Sequence, residues 1–391
     1  MRPATALVSV APFAGLSVAY FAHAGFFSTY LPLWLKHLGY GVQAIGLLVA
    51  IGSATRLFGP YLWGWLSDHT NARTRLMRWA AATALLGGLA LPWEPAVLWL
   101  GLALLLLYTA TSALMPLSEA ALAQVVTRDG VFDSHRYGRV RLWGSLGFLL
   151  TVLVAGTWFE THGMASFSWG AVLSLAAITL AVWRLPELKD PPHPTTGKPA
   201  IAPVLRQPVV RWFLASVFLH VMAHMPLYLY LSLYLDELGY SKTFIGVAWA
   251  LSVLIEIGWF FGQGRWFGRF RPATWLTLAA AVAVLRMGLI AGGASWWWLL
   301  LLAQLLHAVT FAAHHTACIA LLTEHFPGSL RSRGQGLYAV IGYGLPGVLM
   351  GLGGGWLSAR LDLSAVFWVA TASAALAVWS SSRLRRHRPL G

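Results

Sequence analysis

The chain has 391 residues, of which 58% are hydrophobic and only 10% are charged. This number of charges is too small to cover the surface of a water-soluble globule of this size. A soluble enzyme or binding module is therefore excluded. The formal net charge of +14 would suit nucleic acid, but the positions of the basic residues follow membrane topology instead, and no nucleic-acid partner is predicted. We therefore predict an all-α integral membrane protein.

Apolar stretches long enough to cross a membrane follow one another along the whole chain. A transmembrane helix needs about 20 apolar residues to cross about 30 Å of hydrocarbon. Stretches of this kind predict about twelve spans, six in each half of the chain. Their cores lie near residues 12–34, 43–66, 78–93, 96–122, 140–159, 166–183, 210–234, 243–263, 274–292, 296–320, 335–358 and 364–381.

The end of the first span and the loop after it recur 200 residues later. The segment LPLWLKHLGYGVQAIG at 31–46 aligns without a gap with LSLYLDELGYSKTFIG at 231–246. A looser match, at an offset of 198, relates Gly138, Gly144, Gly156 and Trp158 to Gly336, Gly342, Gly354 and Trp356. The duplication predicts two pseudo-symmetric six-helix bundles, an arrangement typical of secondary transporters.

A polar, proline-rich stretch separates the two copies. Residues 184–208 can neither continue as one helix nor lie in lipid. We therefore predict an N-terminal six-helix bundle over 1–184, a cytoplasmic linker over 185–208, and a C-terminal bundle with a basic tail over 209–391.

The basic residues are distributed unevenly between the two ends of the predicted spans. With both termini cytoplasmic, 22 of the 27 lysines and arginines fall in cytoplasmic segments, and the outer segments hold only Lys36, Lys242 and Arg360. This is a strong positive-inside bias. It predicts a multi-pass protein of the bacterial inner membrane with both termini cytoplasmic, whose basic tail contacts anionic lipid headgroups.

Ionisable residues in or near the predicted spans are the main candidates for function. They are Arg56, Glu119, Arg141, Glu256 and Arg286. A charge in hydrocarbon costs several kcal/mol unless it faces a partner or a wet cavity. Arg56 lies about 18 Å from the end of its predicted helix, so it needs a buried partner, and Glu256 occupies the equivalent position at an offset of 200. Structural ion pairs are the alternative, but the number of costly groups favours function.

Histidines recur on two predicted spans. His220 and His224 are four residues apart on the seventh, and one face of the tenth carries Gln304, His307, Thr310 and either His314 or His315. Histidine titrates near neutral pH, so a proton relay, substrate contact and polar core packing all fit this pattern. No metal site is predicted, because neither an HExxH sequence nor a carboxylate ligand accompanies the pair.

The second span ends in GWLSD at 64–68, followed by basic residues that include Arg73. This segment resembles the loop signature of the major facilitator superfamily. We expect Gly64 to allow close packing, and the resemblance implies a structural and gating role for Gly64, Asp68 and Arg73. In the second copy the acid is lost, because Gly268 stands opposite Asp68.

The segments PLSEA at 116–120 and YGRVRLWG at 137–144 closely resemble the fourth and fifth helices of the lactose permease family. The resemblance implies that Glu119 pairs with Arg141 and that both bind substrate. Arg286 resembles the family's ninth-helix arginine, and His307 resembles its tenth-helix histidine, which implies roles in proton coupling. Thr310 replaces the glutamate one turn after that histidine, so Glu256 becomes the better candidate for the proton carrier.

A further resemblance runs over nearly the whole chain. It is to the phenylpropionate permease branch of proton symporters, and it shows in residues 31–46, in ATRLFG at 54–59 and in VRLWGS at 140–145. That branch carries the second-helix arginine, here Arg56, the candidate carboxylate anchor. Three arginines against two glutamates leave one unpaired positive charge, which a monocarboxylate would neutralise. The further candidates are Trp143 and Phe148 for substrate contact and His314 for proton coupling.

Together these patterns predict a proton-coupled symporter that imports a small organic solute by alternating access, with an aromatic monocarboxylate as the favoured substrate. A sugar or nucleoside symporter is the alternative, and an integral-membrane enzyme is a remote one, because no nucleophile or metal cluster lies near a membrane face. A channel is disfavoured, since no ring of charges or pore loop is present. We expect a monomer with no cofactor, driven by the proton gradient.

Overall fold

The computed structural model describes residues 9–70, 72–93, 96–128, 131–187 and 200–387, and these are almost entirely helical. The α-helices are α1 (Ala11–His37), α2 (Val42–Thr70), α3 (Arg73–Gly88), α4 (Val97–Thr111), α5 (Leu114–Val126), α6 (Ser134–His162), α7 (Phe167–Trp183), α8 (Ala202–Leu205), α9 (Pro208–Glu237), α10 (Lys242–Gly262), α11 (Pro272–Gly293), α12 (Trp297–Leu305), α13 (His314–His325), α14 (Arg331–Ala339), α15 (Leu345–Ser358) and α16 (Leu363–Arg386). Two short antiparallel strands, β1 (Thr127–Arg128) and β2 (Val131–Phe132), lie between α5 and α6.

Ten helical segments of the described residues are long and apolar enough to cross a membrane. The helices α4 and α5 together form one of these segments, as do α12 with α13 and α14 with α15. The predicted first and third spans are helical but are not among the ten. The third is only 16 residues long, and the first carries the buried polar residues Ser17, His23 and Thr29. The multi-pass membrane architecture is confirmed.

The sequence repeat is also present in the backbone. After α1 the chain turns at Gly39, and after α9 it turns at Gly239, with φ +84° at both. The N–H of Tyr40 donates to the carbonyl of Leu35 at 3.1 Å, and the N–H of Tyr240 donates to that of Leu235 at 3.0 Å. These bonds belong to a Schellman motif, in which glycine adopts the left-handed conformation. Each copy therefore ends its first helix in the same way.

By their contacts the described residues divide into two compact units. The first unit is drawn from Met1–Phe27, Phe58–Val152 and Ala165–His193, and the second from Ser28–Leu57, Leu153–Met164 and Pro194–Gly391. This division does not follow the predicted bundles, because one end each of α1, α2 and α6 packs with the second half of the chain. The bundle boundaries stay a prediction, and residues 188–199 of the predicted linker lie outside the described ranges.

Glycines bring helices of the second unit into close contact. A Cβ added at Gly46 on α2 would lie 2.5 Å from the Gly351 carbonyl oxygen on α15 and 2.6 Å from the Tyr230 hydroxyl. A Cβ at Gly156 on α6 would lie 2.7 Å from the Lys242 carbonyl oxygen, where α10 begins. Only glycine permits these approaches, so α2 packs against α15 and α6 packs against α10.

An ion cluster lies at the same end of these helices, which we call the loop face because it carries the turns at 38–41 and 238–241. The Nζ of Lys36 lies 2.7 Å from Asp236 Oδ2, and the Nζ of Lys242 lies 3.2 Å from Asp236 Oδ1. Glu160 accepts the backbone N–H of Lys242 at 2.6 Å. Lys36 and Asp236 are equivalent positions of the repeat, so opposite charges pair across it.

Two π-helical segments interrupt the spans of the second unit. Ala308–Ala313 lies between α12 and α13, and Val340–Gly344 lies between α14 and α15. A π turn takes in an extra residue and often marks a functional site. Each segment here carries a side chain of the polar cluster described below.

Candidate functional site

The guanidinium of Arg286, on α11, is the centre of a buried polar cluster in the second unit. Only 1% of the residue is exposed. Its Nη1 donates to His307 Nδ1 at 2.9 Å and to Thr310 Oγ1 at 3.0 Å, and its Nη2 donates to Gln304 Oε1 at 3.1 Å. Ser252, on α10, also donates to the Gln304 oxygen, at 2.7 Å. Three polar side chains, spaced three residues apart on the α12–π–α13 span, therefore hold one arginine.

These contacts fix the tautomer of His307. Arginine has donors only, so His307 Nδ1 must accept, and the ring proton lies on Nε2. That Nε2 lies 3.4 Å from Glu256 Oε2 on α10. A proton on Nδ1 would point at the N–H of the guanidinium and would remove the acceptor for this hydrogen bond. The arrangement therefore favours neutral His307. Arg286, His307 and Glu256 thus form a chain that links the guanidinium on α11 through a histidine to a carboxylate on α10.

Glu256 is the partly accessible end of this chain. Its side chain is 24% exposed, whereas that of His307 is 7% exposed. Within the described residues no carboxylate pairs directly with Arg286, so Glu256, reached through His307, is its nearest negative partner. A buried cation held by neutral dipoles is sensitive to any change in a nearby charge. Glu256 is thus linked to Arg286 through the His307 ring.

A stack of histidine rings lies beside this cluster. The rings of His220 and His314 are parallel with centroids 3.7 Å apart, and His224 stacks on His220 at 4.6 Å. His220 Nε2 donates to the Thr310 carbonyl at 2.7 Å, and Cys318 lies against His314. All of these side chains are buried. The stack packs as a polar core, and across the described ranges no group of three potential ligands is arranged to hold a metal.

Arg56 lies on the α2 side of the second unit without an ionic partner. Its Cζ is 5.8 Å from the centroid of the Tyr343 ring, and its side chain is exposed. No carboxylate in the described part of the chain pairs with it, so the expected buried partner is absent there. The charges of Arg56 and Glu256 both act on the hydroxyls of Tyr343 and Tyr228. The free cation and the Glu256 chain therefore share one polar neighbourhood.

The first unit holds the second group of charged candidates. Arg141, on α6, donates to Glu119 Oε1 on α5 in a short ion pair. The hydroxyl of Tyr137 donates to the other oxygen, Oε2, at 3.0 Å, and the Arg141 guanidinium lies 5.4 Å from the Phe21 ring centroid. The predicted pairing is present. Each Glu119 oxygen accepts one bond and can accept another, and Arg141 keeps unused N–H donors, so both side chains can contact a ligand.

The two aromatic candidates on α6 lie on different faces of the helix. Phe148 is seven residues after Arg141, which returns it to about the same face, and it packs against Gly25 of α1. Trp143 is two residues after Arg141, about 200° around the helix, and is 53% exposed. The structure therefore brings Phe148, and not Trp143, to the side of Arg141.

The loop signature lies where α2 ends and α3 begins. Arg73 is buried at the start of α3, whereas the Asp68 side chain lies outside the described part of the structure. A Cβ at Gly64 would meet nothing within 4 Å, so the expectation that this glycine allows close packing is wrong for this conformation.

The sequence did not identify four polar residues that lie beside the candidates: Tyr343, Tyr228 and Ser252 in the second unit and Tyr137 in the first. Tyr137 could have been predicted from the sequence. It is four residues before Arg141, so both lie on one face of α6, where a hydroxyl can contact Glu119. The sequence holds no comparable signal for Tyr343, because the π segment that carries it does not follow the 3.6-residue period of an α-helix.

The membrane-spanning helices, the duplication and the buried charges together define a membrane transporter. The chain belongs to the MFS_1 like family, whose model matches residues 13–369. The predicted major facilitator fold is thereby confirmed.

Two curated relatives are similar over most of their length. The "Probable 3-phenylpropionic acid transporter" of Escherichia coli (strain K12) is 30% identical over 359 residues, which cover 90% of this chain and 91% of that protein. The "Maltose permease" of Geobacillus stearothermophilus is 26% identical over 325 residues, which cover 83% and 81%.

Solved structures share the fold. The nucleoside transporter NupG superimposes with a TM-score of 0.80 at 14% identity, covering 97% of this chain and 99% of that one. A D-xylose-proton symporter gives a TM-score of 0.67 at 15% identity, covering 96% and 97%. At these identities the similarity concerns the fold alone.

Proposed function

We propose that this transporter is a proton-coupled symporter that imports a small organic acid, with an aromatic monocarboxylate as substrate. The observation that carries the proposal is the guanidinium of Arg56, exposed and without a carboxylate partner in the described residues, in the same neighbourhood as Glu256. The name of the Escherichia coli relative, which is 30% identical, points to the same substrate class.

The charges around Arg56 and Arg286 favour an anionic substrate. Of the described residues in this polar neighbourhood, Arg56 and Arg286 are cationic and Glu256 is anionic, so one positive charge is left when that carboxylate is ionised. In the first unit, Glu119 and Arg141 cancel each other. One carboxylate on the substrate would neutralise the excess, and a guanidinium is well suited to bind it through two parallel hydrogen bonds.

The same charges supply a coupling mechanism. An ionised Glu256 repels an anion near Arg56, and a protonated Glu256 does not. Proton and substrate therefore bind cooperatively, and each raises the affinity for the other. With Arg286 holding His307 neutral, Glu256 is the proton carrier and His307 its hydrogen-bond partner. His314, stacked within the polar core, supports this group by packing.

We place the protein in the bacterial inner membrane as a monomer with both termini cytoplasmic, which makes the loop face the outer face. The scarcity of basic residues there, limited to Lys36, Lys242 and Arg360 in the predicted topology, supports this orientation. In this proposal the protein carries out no covalent chemistry and needs no cofactor, because the proton gradient drives transport.

Uptake by purified protein in proteoliposomes tests the proposal. Labelled 3-phenylpropionate should accumulate above its equilibrium level when the outside is acidic, and a protonophore should abolish the accumulation. Glu256→Gln should lose accumulation but keep exchange of labelled for unlabelled substrate, whereas Glu237→Gln, an exposed control at the end of α9, should behave as wild type. Unaltered accumulation by Glu256→Gln would rule out Glu256 as the carrier.

A sugar or nucleoside symporter is the second candidate. The carboxylate and guanidinium of the Glu119 and Arg141 pair, together with the Tyr137 hydroxyl, form a polar surface that suits hydroxyl groups. The maltose permease relative is similar over most of the chain. Counterflow with maltose, a nucleoside and 3-phenylpropionate in parallel separates the two, and exchange of the neutral solutes alone would refute the carboxylate assignment.

A further inference from the structure

We infer that Tyr343 is a positioning residue that orients the Arg56 guanidinium for carboxylate recognition. The inference rests on the proposed function and adds to it the residue that makes Arg56 selective for a carboxylate. It starts from how α2 and α15 meet.

Two glycines let the backbone of α2 approach the π segment and α15. A Cβ at Gly344 would collide with the side chain of Leu57, and a Cβ at Gly347 would collide with the Ser53 hydroxyl. Ser53 and Leu57 are one turn apart and flank Arg56, so the α2 face next to Arg56 is pressed against this part of the chain. The position of Arg56 is thereby set by backbone contact.

The π segment at Val340–Gly344 carries Tyr343 to Arg56. The Arg56 Cζ lies 5.8 Å from the ring centroid, within the range of a cation–π contact. A cation–π contact is an electrostatic attraction to the ring and occupies no N–H donor in a hydrogen bond. The contact therefore restrains Arg56 without consuming the donors that a carboxylate needs.

Tyr343 is itself held from behind. Its hydroxyl lies 3.4 Å from the Tyr338 hydroxyl, and Tyr338 is only 7% exposed. The ring is thus braced against the buried core of the second unit. A ring fixed in this way reduces the rotamer freedom that a long arginine side chain would otherwise lose on binding a ligand.

Kinetics on ring-retaining and ring-deleting variants test the inference. Tyr343→Leu should raise the KM for 3-phenylpropionate about 2- to 30-fold, with the maximal exchange rate unchanged. Tyr343→Phe keeps the ring but loses the hydroxyl contact with Tyr338, so its KM should rise less than that of Tyr343→Leu. Tyr61→Leu, an exposed tyrosine on α2, is the matched control and should have no effect.

A double-mutant cycle separates positioning from general damage. If Tyr343 acts through Arg56, then Tyr343→Leu should add nothing to the KM of Arg56→Ala. The thermal midpoint of each variant identifies any variant that folds poorly. If Tyr343→Leu is one of these, the KM of Tyr343→Phe is the result that tests the inference. Fully additive effects, or a Tyr343→Phe variant as impaired as Tyr343→Leu, would overturn the inference while leaving the proposed function intact. Failure of the wild-type protein to exchange 3-phenylpropionate would instead overturn the proposed function.

Discussion

The contact between α2 and α15 at Gly351 allows a direct test of alternating access. A Cβ at Gly351 would lie 2.6 Å from the Ala50 Cβ and 3.1 Å from the Gly46 carbonyl oxygen. Carbon atoms pack at about 3.5–4.0 Å, so one helix would have to move by about 1 Å. We expect Gly351→Ala to destabilise the conformation in which these helices touch.

The size of the effect follows from the cost of overpacking. Extra methyl groups in a well-packed contact cost about 1–3 kcal/mol, which is about a 5- to 150-fold change in a two-state equilibrium. Alanine also has about 1 kcal/mol better helix propensity than glycine. This gain is the same in every conformation in which α15 is helical, so it does not shift the equilibrium between them. Gly353→Ala, two residues on with nothing within 4 Å of its Cβ, is the matched control.

Distances between spin labels measure the shift. Cysteines introduced at Leu47 on α2 and Leu352 on α15 would be accessible, since these positions are 51% and 45% exposed, whereas the native Cys318 is buried. The Gly351→Ala protein should gain a longer-distance population in double electron–electron resonance, and Gly353→Ala should match the parent. Identical distributions for the two alanine variants would refute the assignment of this contact to a conformation that opens.

Three further outcomes are expected. Asp236→Asn removes the partner of Lys36 and Lys242, so it should lengthen the same label distance, by less than Gly351→Ala because exposed pairs contribute about 0–1 kcal/mol. Arg286→Lys should lose proton-driven uptake, because one ammonium cannot keep the three acceptors in the planar geometry of a guanidinium; measured accumulation close to wild type would contradict this. Asp362→Ala should lower the thermal midpoint, since Asp362 caps α16 and such caps contribute about 1 kcal/mol. Hydrogen bonds from Ser364 and Ala365 lower the pKa of Asp362, so this difference should be complete at neutral pH and vanish as the pH falls through that native pKa.

The sequence predicted what depends on hydropathy and on the repeat. The helices lie where apolar runs indicated them, and the turns at Gly39 and Gly239 have the same conformation because the same glycine serves both copies. The contact between Glu119 and Arg141 agrees with the pairing that family resemblance implied. The resemblance implied no pairing of Arg286 with His307, and their contact is a finding of the structure. The roles of these four residues in binding and coupling stay predictions.

The failures lie where local geometry departs from a regular helix. Helical spacing put His307 and His314 on one face, but the π segment between them changes the register, so that His307 meets Arg286 whereas His314 stacks on His220. Arg56 was expected to need a buried partner. It is exposed and lies near the Tyr343 ring, a neighbour that hydropathy and charge patterns cannot identify.

Lys36 and Asp236 show why a fused chain can hold this contact and a symmetric dimer cannot. Where two identical subunits meet across a two-fold axis, a residue at the axis faces its own copy, and an ionised side chain there would be repelled. In a chain that carries both copies, each copy can mutate independently, and a lysine can face an aspartate at one equivalent site. A duplicated chain therefore allows opposite charges at equivalent positions, which two identical subunits cannot have.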